Sequence, residues 1–219
     1  MKRLVVIAVG LSVPSTTLML AERIAGSVEA QVSKRGEGLE TQIINIRDLA
    51  MDLAQLMTTG IPSEKLRTIQ DAVSAADALV AVTPVFSASF SGLFKMFVDS
   101  LGTNALNGMP MIIAATAGTP RHSLVLDHAL RPLFTYLRAV IMPSGVFAAT
   151  EDFGGNNQLQ DRITRAAREL ASYIVRTEVS VAGFGPDFSD TAQPRTSGTT
   201  VPTTITNFAD LLKGHDGCS

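Results

Sequence analysis

Val5-Val6-Ile7-Ala8-Val9, running directly into Gly10-Leu11-Ser12-Val13-Pro14-Ser15-Thr16-Thr17, is the stretch that decides the architecture of this 219-residue chain. Five consecutive apolar residues read as a strand buried on both faces, the pattern of a parallel sheet. The Gly, Pro and hydroxyl residues end it, and Leu18, Ala21, Ala25 and Val28 then recur at helical spacing. A first strand that passes through a short polar turn into a helix sets the helix's free N–H groups and positive dipole end beside the strand end. That arrangement is a seat for an anion, and Ser12, Ser15, Thr16 and Thr17 add hydroxyls without bulk. A helix cap needs one hydroxyl, so four within residues 12–17 exceed what capping requires.

The pattern continues outward. Apolar runs at 39–46, 78–83, 111–116 and 139–146 alternate with helical periodicity at 18–32, 63–76, 91–101, 123–137 and 158–177. Ser63 is placed as an N-cap, and residues 47–62 read as an irregular, Met-rich link. Five strands, each followed by a helix, imply an α/β domain with a parallel sheet and helices on both faces. With no sixth strand, the expected order is the flavodoxin-like 2-1-3-4-5. Ligands of such sheets sit beyond the carboxyl ends of the strands, where strands one and three diverge. The loop after strand three supplies Pro84, Val85, Phe86 and Ser87 at that point, with Phe86 either core or ring contact. Pro84 fixes one dihedral and leaves the following N–H groups to meet a ring edge. Thr116, Ala117 and Gly118 close strand four with small side chains that admit a flat ligand, forming a third wall. Residues 1–178 are read as this domain and 179–219, rich in Gly, Pro, Ser and Thr, as a surface tail with a short amphipathic turn at 208–212.

Other classes lose their signatures. Eighteen basic against twenty acidic residues give a net charge of −2, so no basic field favours nucleic acid. The single cysteine, Cys218, excludes an internal disulfide framework and a Cys-based zinc site and fits a reducing, cytoplasmic setting. His122, His128 and His215 are too scattered for a metal cage. Met1-Lys2-Arg3 and the apolar run after it resemble a signal peptide, but the polar break at residues 12–17 and the missing cleavage site favour a first strand. The run is also too short to span a bilayer. No G-x-G-x-x-G follows strand one, no acid ends strand two where Asn45-Ile46-Arg47 stands, and no nucleotide P-loop exists. Gly10-Leu11-Ser12-Val13-Pro14 half matches a hydrolase nucleophile elbow but lacks the second glycine. Leu93, Phe94, Phe97, Val98 and Leu101 on one helix give more apolar surface than one sheet needs, which is read as the contact face of a homo-oligomer or, alternatively, as surface buried within the monomer.

Four ordered motifs then carry a resemblance over roughly residues 4–176. Thr83-Pro84-Val85-Phe86-Ser87-Ala88-Ser89-Phe90-Ser91-Gly92-Leu93-Phe94-Lys95 resembles the T-P-x-Y-x-x-x-x-x-G-x-L-K segment of NAD(P)H-dependent FMN reductases. Ala115-Thr116-Ala117-Gly118-Thr119-Pro120-Arg121-His122 is similar to their A-T-G-G-T-x-x-H loop. Asp127-His128-Ala129-Leu130-Arg131-Pro132 resembles the D-Y-A-L-K-P helix of the reductases that serve alkanesulfonate desulfonation, and Gly145-Val146-Phe147-Ala148 follows in the same relative place. The resemblance implies a flavodoxin-like fold that binds FMN, takes a hydride from NADPH or NADH, and supplies reduced FMN to a flavin-dependent monooxygenase. It places Ser12, Ser15, Thr16 and Thr17 at the phosphate, Pro84, Val85, Phe86 and Ser87 beside the ring, and Thr116, Ala117 and Gly118 opposite. No catalytic side chain is implied, since the hydride chemistry belongs to the two cofactors. Arg121 follows the loop after strand four and is read either as a contact for the nicotinamide nucleotide's phosphate or as a helix-start Arg facing solvent, and His128 is read as a second substrate-side residue. The chain departs from the family in lacking a phosphate-loop Arg, in carrying His128 where some sulfonate-system members have Tyr, and in its longer tail. A quinone or azo reductase holding FMN, and a non-catalytic flavodoxin-type electron carrier, are the alternatives. Such carriers are more acidic and sandwich the ring with aromatics, whereas this chain has no Trp and only two Tyr, Tyr136 and Tyr173.

Overall fold

In the computed structural model, which describes residues 1–154, 157–175 and 195–198, the first apolar run is β1 (Lys2–Ala8) and is buried from Leu4 through Val9. It pairs in parallel with β2 (Leu39–Asn45) on one side and β3 (Ala78–Phe86) on the other. β4 (Ser89–Phe90) folds back on the end of β3 as an antiparallel hairpin. β5 (Pro110–Ala117) lies beyond β3 and carries two short partners, β6 (Val140–Ile141) and β7 (Val146–Ala149), along its outer side. Setting aside the hairpin strand β4 and counting β6 and β7 as halves of one strand, the sheet runs β2-β1-β3-β5-β6/β7, the order expected for five strands. The fifth strand, predicted as continuous over 139–146, is interrupted at 142–145. Pro143 has no N–H for a ladder, and Ser144 gives its N–H and hydroxyl to the Glu169 carboxylate, at 2.9 and 2.6 Å.

Helices cover both faces. α1 (Thr16–Ser33) packs with α6 (Asn157–Ile174) over one face, burying Leu20, Ile24 and Val28 against Leu159, Ile163 and Leu170 in a shared core. The other face holds α2 (Ala50–Thr59), α3 (Glu64–Ser74), α4 (Gly92–Asp99) and α5 (Arg131–Tyr136) over a second core containing Phe94, Phe97 and Phe134. Ser63 caps α3 by accepting from the Leu66 N–H at 3.1 Å, as expected. The apolar face of α4 is absorbed within the chain: Phe94, Phe97, Val98 and Leu101 are buried, and Leu93 packs against the same core.

Three local readings need correction. Residues 47–62 are not irregular; a turn at Ile46–Leu49 leads into α2, which ends at Gly60 with φ of 73°. The period was hidden because α2 fully buries Leu53 alone while Met51 and Met57 face solvent. The helix predicted over 123–137 begins instead as a π-helical turn, Leu126–Leu130, before α5. Pro132 cannot donate to the His128 carbonyl, and the Arg131 N–H bonds five residues back to Leu126. Finally, β3 does not stop at Thr83 but runs to Phe86, so the predicted loop is the first arm of the β3–β4 hairpin.

That hairpin turns on Ser87 and Ala88, with φ of 49° and 64°. Two consecutive positive-φ residues between paired Phe86 and Ser89 are the mirror-image turn that matches strand twist, for which Asn-Gly is the favoured sequence. Ser-Ala carries Cβ atoms in a region costing roughly 1–2 kcal/mol per residue. Ala88→Gly therefore raises stability by about 0.5–1 kcal/mol, read as a higher urea midpoint with unchanged slope. A lower midpoint would contradict the left-handed turn.

Candidate functional site

The carboxyl ends of β1, β3 and β5 and the first turn of α1 enclose a crevice of about 380 Å³, within the range of small-ligand sites. Ser12, Ser15, Thr16 and Thr17 line one end, Pro84, Val85 and Phe86 one side, and Thr116, Ala117 and Gly118 the other. Ser87 is not in the lining: it sits at the tip of the hairpin, facing solvent. Val9, Leu11 and Thr150 also line the crevice and were not singled out. Thr150 arrives because β7 pairs with the end of β5 and delivers the next residue to the same rim. The topological rule that every carboxyl end faces the ligand edge was signal enough to include it.

The α1 end is built by short side chains that hold the loop in place. Gly10 lets the turn close, since a Cβ there would stand 2.5 Å from the Leu18 side chain and 2.8 Å from Ser15 Oγ. The Gly10 N–H donates to Asn45 Oδ1 at 3.1 Å, joining the ends of β1 and β2. Ser15 caps α1 by accepting from the Leu18 N–H at 3.2 Å, and Ser12 Oγ donates to the Pro14 carbonyl at 2.8 Å. Thr17 is buried and its hydroxyl pairs with that of Thr116 at 2.8 Å, tying the start of α1 to the end of β5. Three of the four hydroxyls thus already have work inside the protein. Thr16 is exposed, its hydroxyl has no partner among the described residues, and neither do the N–H groups of Thr16 and Thr17. The lining contains no Asp, Glu, Lys or Arg, so its field comes from the positive end of the α1 dipole and these unpaired donors.

The ring-sized part of the crevice lies between two strand ends. Thr83 is fully buried and accepts from the Ser91 N–H at 3.1 Å, closing the base of the β3–β4 hairpin. Ser91 in turn caps α4 through the Phe94 N–H at 3.3 Å. Phe86 is 50% exposed at the rim and is not core. On the other wall, apart from its chain neighbours, no atom of the described residues lies within 4 Å of where a Cβ on Gly118 would stand, which leaves that space to the crevice. The crevice is lined by uncharged side chains with backbone donors at one end, and it suits a ligand with an uncharged body and an anionic tail.

A second cleft, about 390 Å³, is lined by Ala88 and Ser89 of the hairpin and by residues that follow β5, and shares no lining residue with the first. Arg121, His122 and His128 line it, with no acidic residue among the lining. Arg121 and His128 therefore do not touch the crevice itself. Asp127, beside His128 in the π-helical turn, is paired with Arg131 at 3.1 Å. Among the described residues no group of three or more His, Cys, Asp or Glu is placed to hold a metal, and no helix is long and apolar enough to cross a membrane.

Comparison with known proteins agrees with this geometry. The family described as NADPH-dependent FMN reductase matches residues 2–154, the segment that contains the whole crevice lining. The chain is 34% identical over 175 residues to an FMN reductase (NADPH) of Pseudomonas aeruginosa, covering 77% of this chain and 90% of that one. It is 37% identical over 163 residues to the NADH-dependent FMN reductase SfnF of Pseudomonas fluorescens, covering 72% and 84%. Among solved structures, an oxidoreductase from Corynebacterium diphtheriae superposes with a TM-score of 0.78 at 58% identity, over 80% of this chain and 97% of that chain. The chain belongs to the NADPH-dependent FMN reductase family.

Proposed function

We propose that this protein is an NAD(P)H-dependent FMN reductase whose crevice holds the flavin and whose basic cleft takes the tail of the nicotinamide nucleotide. The observation that carries the reading is the pair of unpaired N–H groups at the start of α1, at one end of the crevice. An FMN phosphate is the anion such donors accept. Thr16 adds its free hydroxyl, while Ser12, Ser15 and Thr17 hold the loop in the shape that presents those donors. Pro84, Val85 and Phe86 form one lip of the ring slot and Thr116, Ala117 and Gly118 the other; Ser87, at the hairpin tip, supports the turn and does not meet the ring.

When bound, FMN supplies the electron-accepting ring and the reduced nicotinamide supplies the hydride. The protein's part is to hold the two planes together and keep water out, a contribution of orientation rather than of acid–base groups. Arg121 and His128 line the second cleft, which has no acidic lining residue and would suit the phosphates of the nicotinamide nucleotide. A crevice without a lining cation holds phosphate by neutral donors only, which favours exchange of flavin and its delivery to a flavin-dependent monooxygenase. A cytoplasmic location fits a reaction that draws on reduced nicotinamide.

Thr16→Glu tests the phosphate seat without touching the core, whereas the buried, bonded Thr17 is a poor place for a charge. A carboxylate in the first turn of α1 leaves folding stability level or raised by about 0.3–1 kcal/mol. It should lower FMN affinity by at least about tenfold through repulsion and occupancy of the donors. Unchanged affinity would remove the phosphate from α1. Turnover is tested by mixing sub-stoichiometric protein anaerobically with FMN and NADPH or NADH. Flavin bleaching beyond one equivalent is expected, and bleaching that stops at one equivalent would make the chain a carrier. In the same assay Arg121→Ala should raise the nicotinamide KM about tenfold, the effect of one lost charge-assisted contact, with kcat little changed. An unaltered KM would free Arg121 of that role.

A further inference from the structure

On the edge of the sheet opposite the crevice, a short piece of the C-terminal region, residues 195–198, lies against the body of the protein. Gly102, just after α4, donates its N–H to the Ser197 carbonyl at 3.0 Å. Ser197 is 6% exposed. The two backbones meet glycine to glycine: a Cβ on Gly102 would stand 2.9 Å from Gly198 Cα, Gly198 N and the Ser197 carbonyl oxygen. A Cβ on Gly198, whose φ is 77°, would stand 2.9 Å from Gly102 Cα. Backbone cannot move aside as a flexible side chain can, so neither position admits a side chain while the contact holds. Two residues earlier, Arg195 donates Nη1–H to Met109 Sδ at 3.0 Å. Met109 is fully buried and immediately precedes β5. Burial lowers the Arg195 guanidinium pKa from its ordinary value, and the Asp77 carboxylate at the start of β3 opposes that shift. Asp77 is itself held by the Arg3 N–H at 2.7 Å and by Lys2 at 3.5 Å.

We propose that Arg195–Thr196–Ser197–Gly198 is an intramolecular clasp that fastens this chain's C-terminal extension to the strand-start edge of its own sheet, through a Gly102–Gly198 backbone contact flanked by Arg195 on Met109. It has two separate points of contact: the backbone approach at Gly102, made of a hydrogen bond and a contact that excludes any Cβ on both glycines, and a partly buried cation on Met109 near a carboxylate. The clasp lies outside residues 2–154, the segment matched by the family, and it does not depend on what occupies the crevice. Its receptor is made by the turn after α4 and the start of β5, whose other end forms a wall of the crevice.

Trypsin provides the test, because Arg195 is itself a cleavage point. In the full-length protein the Arg195–Thr196 bond should be cut at least tenfold faster in Gly102→Val and in Gly198→Val than in the parent chain, followed by mass spectrometry. Rates are normalised to peptides of residues 190–202 carrying the same sequence, which removes any effect of the substitution on the protease. Gly198→Val leaves the body of the protein untouched, so its thermal midpoint and FMN affinity serve as the folding control. Equal normalised rates in all three chains would overturn the clasp. Protection in the parent that grows with protein concentration would place the segment on a second copy and overturn the intramolecular assignment.

Discussion

The start of a helix leaves N–H groups that the helix cannot satisfy, and in this protein two of them, on Thr16 and Thr17, open onto a crevice instead of a side-chain cap. The rest of the site is arranged around that fact. A parallel sheet with right-handed crossovers brings the start of α1 to the same edge as the ends of β1, β3 and β5. The hydroxyl-rich loop and the ends of β3 and β5 line one crevice because the topology brings them to the same edge. Gly10 makes the turn tight enough for this, and the Thr17–Thr116 hydroxyl pair holds the helix start against β5.

The frame was legible because buried parallel strands read as continuous apolar runs and the breaks between them are chemical. Val5–Val9 and the hydroxyls after it announce both a strand buried on its two faces and the loop's position. Ten of the eleven residues proposed for the flavin are brought to one crevice, since strand ends of a doubly wound sheet must share an edge. Sequence could not say what each hydroxyl does. Four in one loop look like four ligand donors, yet Ser12, Ser15 and Thr17 shape the loop and the backbone offers the donors. Ser87 was misplaced for a related reason. A two-residue turn of Ser and Ala has none of the Asn-Gly chemistry that marks such hairpins, so the loop looked longer and flatter than it is. The helix α2 was hidden by its thin buried stripe, and the π-helical turn by Pro132, whose missing N–H acts on a neighbour four residues away.

The two edges of the sheet carry different burdens. The carboxyl edge keeps its backbone donors and small side chains free for a ligand. The opposite edge uses Gly102, Met109 and Asp77 to receive a segment distant in sequence. β5 joins them, with Met111 through Ala115 fully buried between its two ends. A substitution at residues 195–198 therefore acts on the edge opposite the crevice, and effects on each edge can be measured separately.

The proposed function rests on recognition of a phosphate by the start of α1. Comparing the dissociation constants of FMN and riboflavin, which differ in that group alone, measures it directly. Two charge-assisted hydrogen bonds at about 1.5 kcal/mol each predict that FMN binds roughly a hundredfold more tightly. Equal dissociation constants would contradict the account.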